Sequence, residues 1–208
     1  TLEVTVSDPD ADDLTVQFYG RHVPPAGPEF SLILLPDTQY YTCCWPELFE
    51  LQTQWIVYSR IYESRNIAAV AHLGDITNSN TTAEYMRADD AMRTLEYPGI
   101  TGLPDGIPYV MNIGNHDGSS GFNQYFGVSR FSGRGYYGGH CDPGNNDNSY
   151  ILFSGAGLDF ILVSLEYAPS PSELAWARGV IASYPNRLAI VVSPSMLDLP
   201  GLPSAPWT

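Results

Sequence analysis

The sequence predicts an α/β fold, and three observations predict it. From residue 30 onward, short apolar runs alternate with longer stretches of helical pattern. Several of those runs are almost continuously apolar, as in strands covered on both faces. Three of them end in clusters of Asp, Asn, Gln or His. The carboxyl end of a strand is where α/β sheets bind ligands.

The strands expected are FSLILL (30–35), IAAVAHL (67–73), PYVMNI (108–113), LDFILVSLE (158–166) and RLAIVVS (187–193). Helical patterns fill 47–64, 82–95 and 171–183, the last opening on Pro171 with Ser172 and Glu173 behind it. Residues 118–149 are rich in Gly, Asn and Tyr without clear periodicity. They read as a long loop, functional or lid-like. Within it, Tyr136, Tyr137 and the aromatics of 122–131 either wall a pocket or pack the loop on the core. Asn146 to Tyr150 read as a turn before a strand.

Residues 1–22 stand apart. LEVTV and LTVQFYG alternate as strands do around the turn SDPDADD, and together read as a lone β-hairpin that needs a sheet to join. The hairpin resembles the last strands of bacterial immunoglobulin-like or cadherin-like repeats. Asp8, Asp10, Asp12 and Asp13 have the oxygens for calcium, but their spacing lacks the fixed Gly and distal Glu of a calcium loop, so a solvated turn is the simpler reading. Residues 23–29 are a Pro/Gly-rich linker, and 30–208 form the main domain.

The totals narrow the function. The chain has 208 residues, 44% hydrophobic and 15% charged, enough for one domain with a core. Its net charge is −14, with nine Arg and no Lys, which argues against sequence-independent nucleic-acid binding. An acidic protein still acts on phosphate esters when bound cations reverse the sign locally. No run is long and apolar enough to span a bilayer. The chain starts at Thr1 rather than Met, so a processed or excised piece is expected. Cys43, Cys44 and Cys141 allow one bridge from Cys141 to the neighbouring pair, or three free thiols.

The strand ends carry the chemistry. The first stops at Pro36-Asp37-Thr38-Gln39, the second at Gly74-Asp75, the third at Gly114-Asn115-His116-Asp117. One terminal Asp is explained by helix capping. Three such ends are harder to explain that way, and their side chains are of the kinds that hold divalent metals.

In these motifs, and in their order, the chain resembles the calcineurin-like metallophosphoesterases, over about residues 30–200. The nearest type is the secreted bacterial one with a preceding immunoglobulin-like domain, which implies an extracellular or cell-surface location. The resemblance implies a four-layer α/β/β/α sandwich with mixed sheets. It also implies hydrolysis of phosphate mono- or diesters by a water activated between two divalent metal ions, of Mn, Fe, Zn or Mg. Asp75 would bridge the metals, Asp37 and Gln39 would hold the first and Asn115 the second. His116 would act on the leaving group or the phosphoryl oxygens without binding metal.

The chain departs from the family pattern in four places. Gln39 stands where His is usual, and Asn78 where an Asp often orients the catalytic His. RLAIVVS leads into Ser193-Pro194-Ser195, with Pro194 about where a ligand His is expected. No Gly-His-x-His follows before Thr208. The second metal therefore keeps only Asp75 and Asn115, where catalytic zinc usually has three protein ligands. A partial or catalytically impaired homologue, serving as a surface or binding module, is the alternative, and a calcium-dependent adhesion fragment a third. Of the other histidines, His72 reads as buried and hydrogen-bonded, His140 as a loop residue able to reach the site, and His22 as a surface residue of the linker region.

Overall fold

A computed structural model describes residues 28–196. The calcium question, the hairpin of residues 1–22 and His22 lie outside the described residues. The architecture is mixed α/β with two sheets. The first sheet is parallel, in the order β1 (Ser31–Leu35), β2 (Ile67–His72), β3 (Tyr109–Met111). The second joins β4 (Tyr137–His140), β5 (Ser149–Gly155), β6 (Leu158–Ser164) and β7 (Leu188–Val192) in chain order. Its first three strands are antiparallel and β7 runs parallel to β6.

Parallel neighbours need crossovers, and the helices supply them. α1 (Gln39–Cys44) and α2 (Pro46–Tyr62) lie between β1 and β2, and α3 (Thr82–Arg93) and α4 (Pro98–Thr101) between β2 and β3. α5 (Ser119–Phe126) and α6 (Val128–Phe131) follow β3, and α7 (Pro171–Ser183) links β6 to β7. Both longer crossover helices after β2 and β6 start with reciprocal capping boxes, Thr81 with Glu84 and Ser170 with Glu173.

Alternation along β6 sorts the core. Phe160 and Leu162 pack with the first sheet, whereas Ile161, Val163 and Leu165 pack on Ala177, Leu174 and Val180 of α7. Phe30 fits beside Phe153 and Phe160 because position 155 is glycine: a Cβ there would lie 2.6 Å from the Phe30 ring. A polar link also joins the sheets. Asn112, fully buried just past β3, donates to the Leu165 and Val192 carbonyls at 2.9 and 3.1 Å, and its Oδ1 accepts from Ser164 Oγ at 2.7 Å.

The long segment after β3 is ordered, contrary to the loop reading. Phe122, Phe126 and Phe131 are buried on α5 and α6, and Tyr136 is buried too. Packing is therefore what these aromatics do. The helices are only 8 and 4 residues long, too short for a 3.6-residue period to stand out among Gly, Ser and Asn. Arg130 of α6 ties this segment to the domain, pairing with Glu96 and Asp89 and donating to Tyr109 Oη. The cysteine expectation is also corrected: Cys43 and Cys44 are bonded to each other and Cys141 is free. Adjacency along the chain, with Cα atoms 3.8 Å apart, brings these two together where the fold leaves Cys141 elsewhere.

Among the described residues one face is apolar and uncovered. Leu51 and Trp55 of α2 and Leu34 of β1 are exposed around a groove of about 440 Å³. Among the described residues no helix is long and apolar enough to cross a membrane.

Candidate functional site

The carboxyl ends of β1, β2 and β3 meet in a small set of backbone contacts. Thr38 N–H donates to the Asp75 carbonyl at 3.1 Å, and His116 N–H donates to Asp75 Oδ1 at 3.1 Å. Asp117 clamps the second and third turns, accepting from the amides of Gly114, Ile76 and Thr77 and from Thr77 Oγ1 at 2.9–3.0 Å. The backbone after β2 is unusual. Gly74 has φ +97° and Asp75 has φ +48°, a left-handed conformation that a non-glycine residue adopts at a cost and that clusters at functional sites. Gly114 must be glycine, because a Cβ there would lie 2.2 Å from Asp75 Oδ1.

Asp37, Gln39, Asp75, Asn115 and His116 all follow strand ends at this edge of the first sheet. Asp37 is exposed and Gln39 is buried to 9% exposure. The two are joined: Gln39 N–H donates to Asp37 Oδ1 at 2.9 Å and Gln39 Nε2 to Asp37 Oδ2 at 2.8 Å. Gln39 Oε1 is buried with no hydrogen-bond partner. Asp75 is half-buried, and among the described residues only the His116 amide donates to its carboxylate. Asn115 and His116 are exposed.

His116 is oriented by a carbonyl. Its Nδ1 lies 3.0 Å from the Asn78 oxygen. A carbonyl only accepts, so Nδ1 carries the hydrogen and Nε2 is left to face solvent. That contact is the main cause of an imidazole pKa raised above the ordinary value, with the charges of Asp75, Asp37 and Asp117 adding to it. Asn78 thus serves His116 through its backbone; its side chain donates to Ser79 Oγ.

His72 is the buried histidine expected. Gly74 N–H donates to its Nδ1 at 3.2 Å, so Nε2 carries the hydrogen and donates to Thr38 Oγ1 at 2.9 Å. Burial lowers its pKa to about 3, which keeps it neutral. His140 is not brought to the site: it lies on β4, with Nδ1 3.1 Å from Tyr137 Oη.

The second sheet contributes the far wall. Tyr167 N–H donates to the Ile113 carbonyl at 2.9 Å, which sets the loop after β6 beside the third strand end. Ser193 Oγ donates to the Glu166 carbonyl, and Ala168 N–H donates to Ser195 Oγ. Between these serines, the Pro194 ring lies on Gly74: a Cβ at position 74 would be 2.5 Å from Pro194 Cγ. Glu166 is a neighbour that sequence reasoning missed. Burial, with Glu173 nearby, raises its carboxyl to about 7, against a hydrogen bond from Asn148 that lowers it. It ends a predicted strand as an ordinary Glu would, and no motif marks it.

The chemistry of the donors can be tested against a metal. Among the described residues, no three His, Cys, Asp or Glu side chains group as ligands. What the strand ends provide is two carboxylates and two side-chain amides, with Gln39 Oε1 buried and unpartnered. Those oxygens are of the kind a hard cation takes, and among the described residues they are too few to give each of two cations three protein ligands.

No protein-family model matches the chain. It is similar to the "Uncharacterized protein YvnB" of Bacillus subtilis (strain 168), 34% identical over 176 residues. The match covers 81% of this chain and 13% of the relative, so the chain spans a small part of that protein.

Proposed function

We propose that the domain is a metallophosphoesterase of the calcineurin-like type, hydrolysing phosphate mono- or diesters. The observation that carries this reading is that Asp37, Asp75, Asn115 and His116 follow three strand ends at the carboxyl edge of one parallel sheet, with the His116 amide bonded to the Asp75 carboxylate. Asp37, Gln39 and Asp75 would hold a divalent cation, with Asn115 beside them. A cation there would supply positive charge to the phosphate and acidify a water. The protein's own part is positioning. The Asn78 carbonyl fixes the His116 ring, and the surrounding carboxylates favour its protonated form. Nε2 is then the atom that gives a proton to the departing alkoxide. The two sheets with helices outside them are read in the same proposal as a four-layer α/β/β/α sandwich with mixed sheets, preceded by an immunoglobulin-like segment, in a secreted protein.

The test is hydrolysis of an aryl phosphate monoester and diester with added manganese. Activity lost in Asp75→Asn and in His116→Ala supports the reading. No turnover of either ester, with the fold intact, removes it. A second reading, a catalytically impaired homologue acting as a binding module, is favoured by Pro194 lying on Gly74. It predicts cation uptake without turnover.

A further inference from the structure

Gln39 presents a problem of pairing. Its Nε2 is committed to Asp37 Oδ2, so the amide cannot be turned over without setting oxygen against carboxylate. Its Oε1 is then left buried without a donor. A buried acceptor in that state is costly unless a donor or a cation meets it. The neighbouring Asp37 carboxylate receives only Gln39's own two N–H groups among the described residues, and the Asp75 carboxylate only the His116 amide. A cation shared among these oxygens would answer the want of donors on each side chain.

The corner across Asp75 is different. Gly74 and Gly114 bring no side chain to it. The Pro194 ring covers Gly74 and has no donor atom. Ser193 Oγ bonds the Glu166 carbonyl, and Ser195 Oγ accepts from Ala168 N–H, so the hydroxyls flanking Pro194 are engaged in holding the loop. Among the described residues Asn115 alone remains to help Asp75 there, and two protein ligands are fewer than catalytic cations ordinarily have.

We propose that this site holds one hard divalent cation of the magnesium or manganese class, on oxygens of Asp37, Gln39 and Asp75, and that Pro194 bars a second from the corner at Gly74. Oxygen ligands select hard ions over zinc. The inference rests on the phosphoesterase reading for its cation but departs from the two-ion arrangement which the family resemblance implies.

Mn²⁺ titration of the full 208-residue chain by calorimetry, with electron paramagnetic resonance of the bound ion, tests it. The expected result is one equivalent with the spectrum of an isolated Mn²⁺. Gln39→Leu weakens binding by about tenfold, as loss of a ligand to a charged group would. Pro194→Ala stays at one equivalent, while Pro194→His, which sets an imidazole against Gly74 beside Asp75, takes up a second with a spin-coupled spectrum. Circular dichroism checks that each variant is folded. Two equivalents in the unmodified chain overturn the proposal and leave the phosphoesterase reading standing. No uptake overturns both. An unchanged Kd in Gln39→Leu removes Gln39 as a ligand, and one equivalent in folded Pro194→His removes the role given to Pro194.

Discussion

Asp117 shows how little of a motif's chemistry need concern the ligand. In Gly114-Asn115-His116-Asp117 its carboxylate faces the protein, where three amides and a hydroxyl bond it. Asp117→Asn sets an NH₂ against N–H donors, and a loss of ~2–4 kcal/mol is expected in urea denaturation, from leaving charge-assisted bonds to a partly buried group unmade. Asp75 behaves in the opposite way. It makes one side-chain bond and occupies a left-handed backbone conformation. Asp75→Asn should therefore lower Mn²⁺ affinity more than His116→Ala does, measured by calorimetry, and equal losses would contradict the roles given to the two. The cluster is legible from sequence, and its resemblance to a family motif suggests roles for Asn115 and His116. The clamp made by Asp117 is not legible, because it depends on which amides the turn after β2 presents to its carboxylate.

At the scale of elements, the loop from β2 to α3 depends on Glu84. Its carboxylate accepts from the amides of Asn78, Ser79 and Thr81 and from Thr81 Oγ1. Burial works to raise its pKa, and these bonds outweigh it, so the net shift is downward. Thr81→Ala removes the ordinary cap and should cost ~1 kcal/mol. Glu84→Ala should cost more and should lower the His116 pKa toward its ordinary value, since it frees the segment that carries the Asn78 carbonyl. Thermal melts and NMR titration of the imidazole check the two effects. The sequence shows α3 through its apolar spacing and α7 through its opening Pro171, and both helices stand where that reading puts them. α5 and β4 are hidden, because they are short, with Ser, Gly and Asn through α5 and two Gly in the middle of β4. Their place is fixed by buried aromatics and by Arg130 rather than by local propensity.

For the whole molecule, acid should be destabilising. His72 is held neutral in the fold with a pKa near 3, whereas an unfolded chain protonates it around 6.5. Below about 6.5 the unfolded state binds the extra proton, so stability falls as pH drops from there toward 3 and the loss is complete below the folded value. Urea midpoints measured across that range in His72→Gln, beside the parent, should show a shallower fall. The alternation of sheet and helix is legible in the sequence because strands covered on both faces must be apolar. The union of the sheets is not, since Asn112 and Ser164 are ordinary polar residues until the fold sets them opposite each other. Their bond has a mechanical consequence. One wall of the site belongs to each sheet, and Asn112, just past β3, is bonded to Leu165, just past β6, and to Val192 at the end of β7. The walls should therefore not breathe independently: amides of Met111, Leu165 and Val192 should exchange with deuterium at one common rate, set by opening of the molecule as a unit.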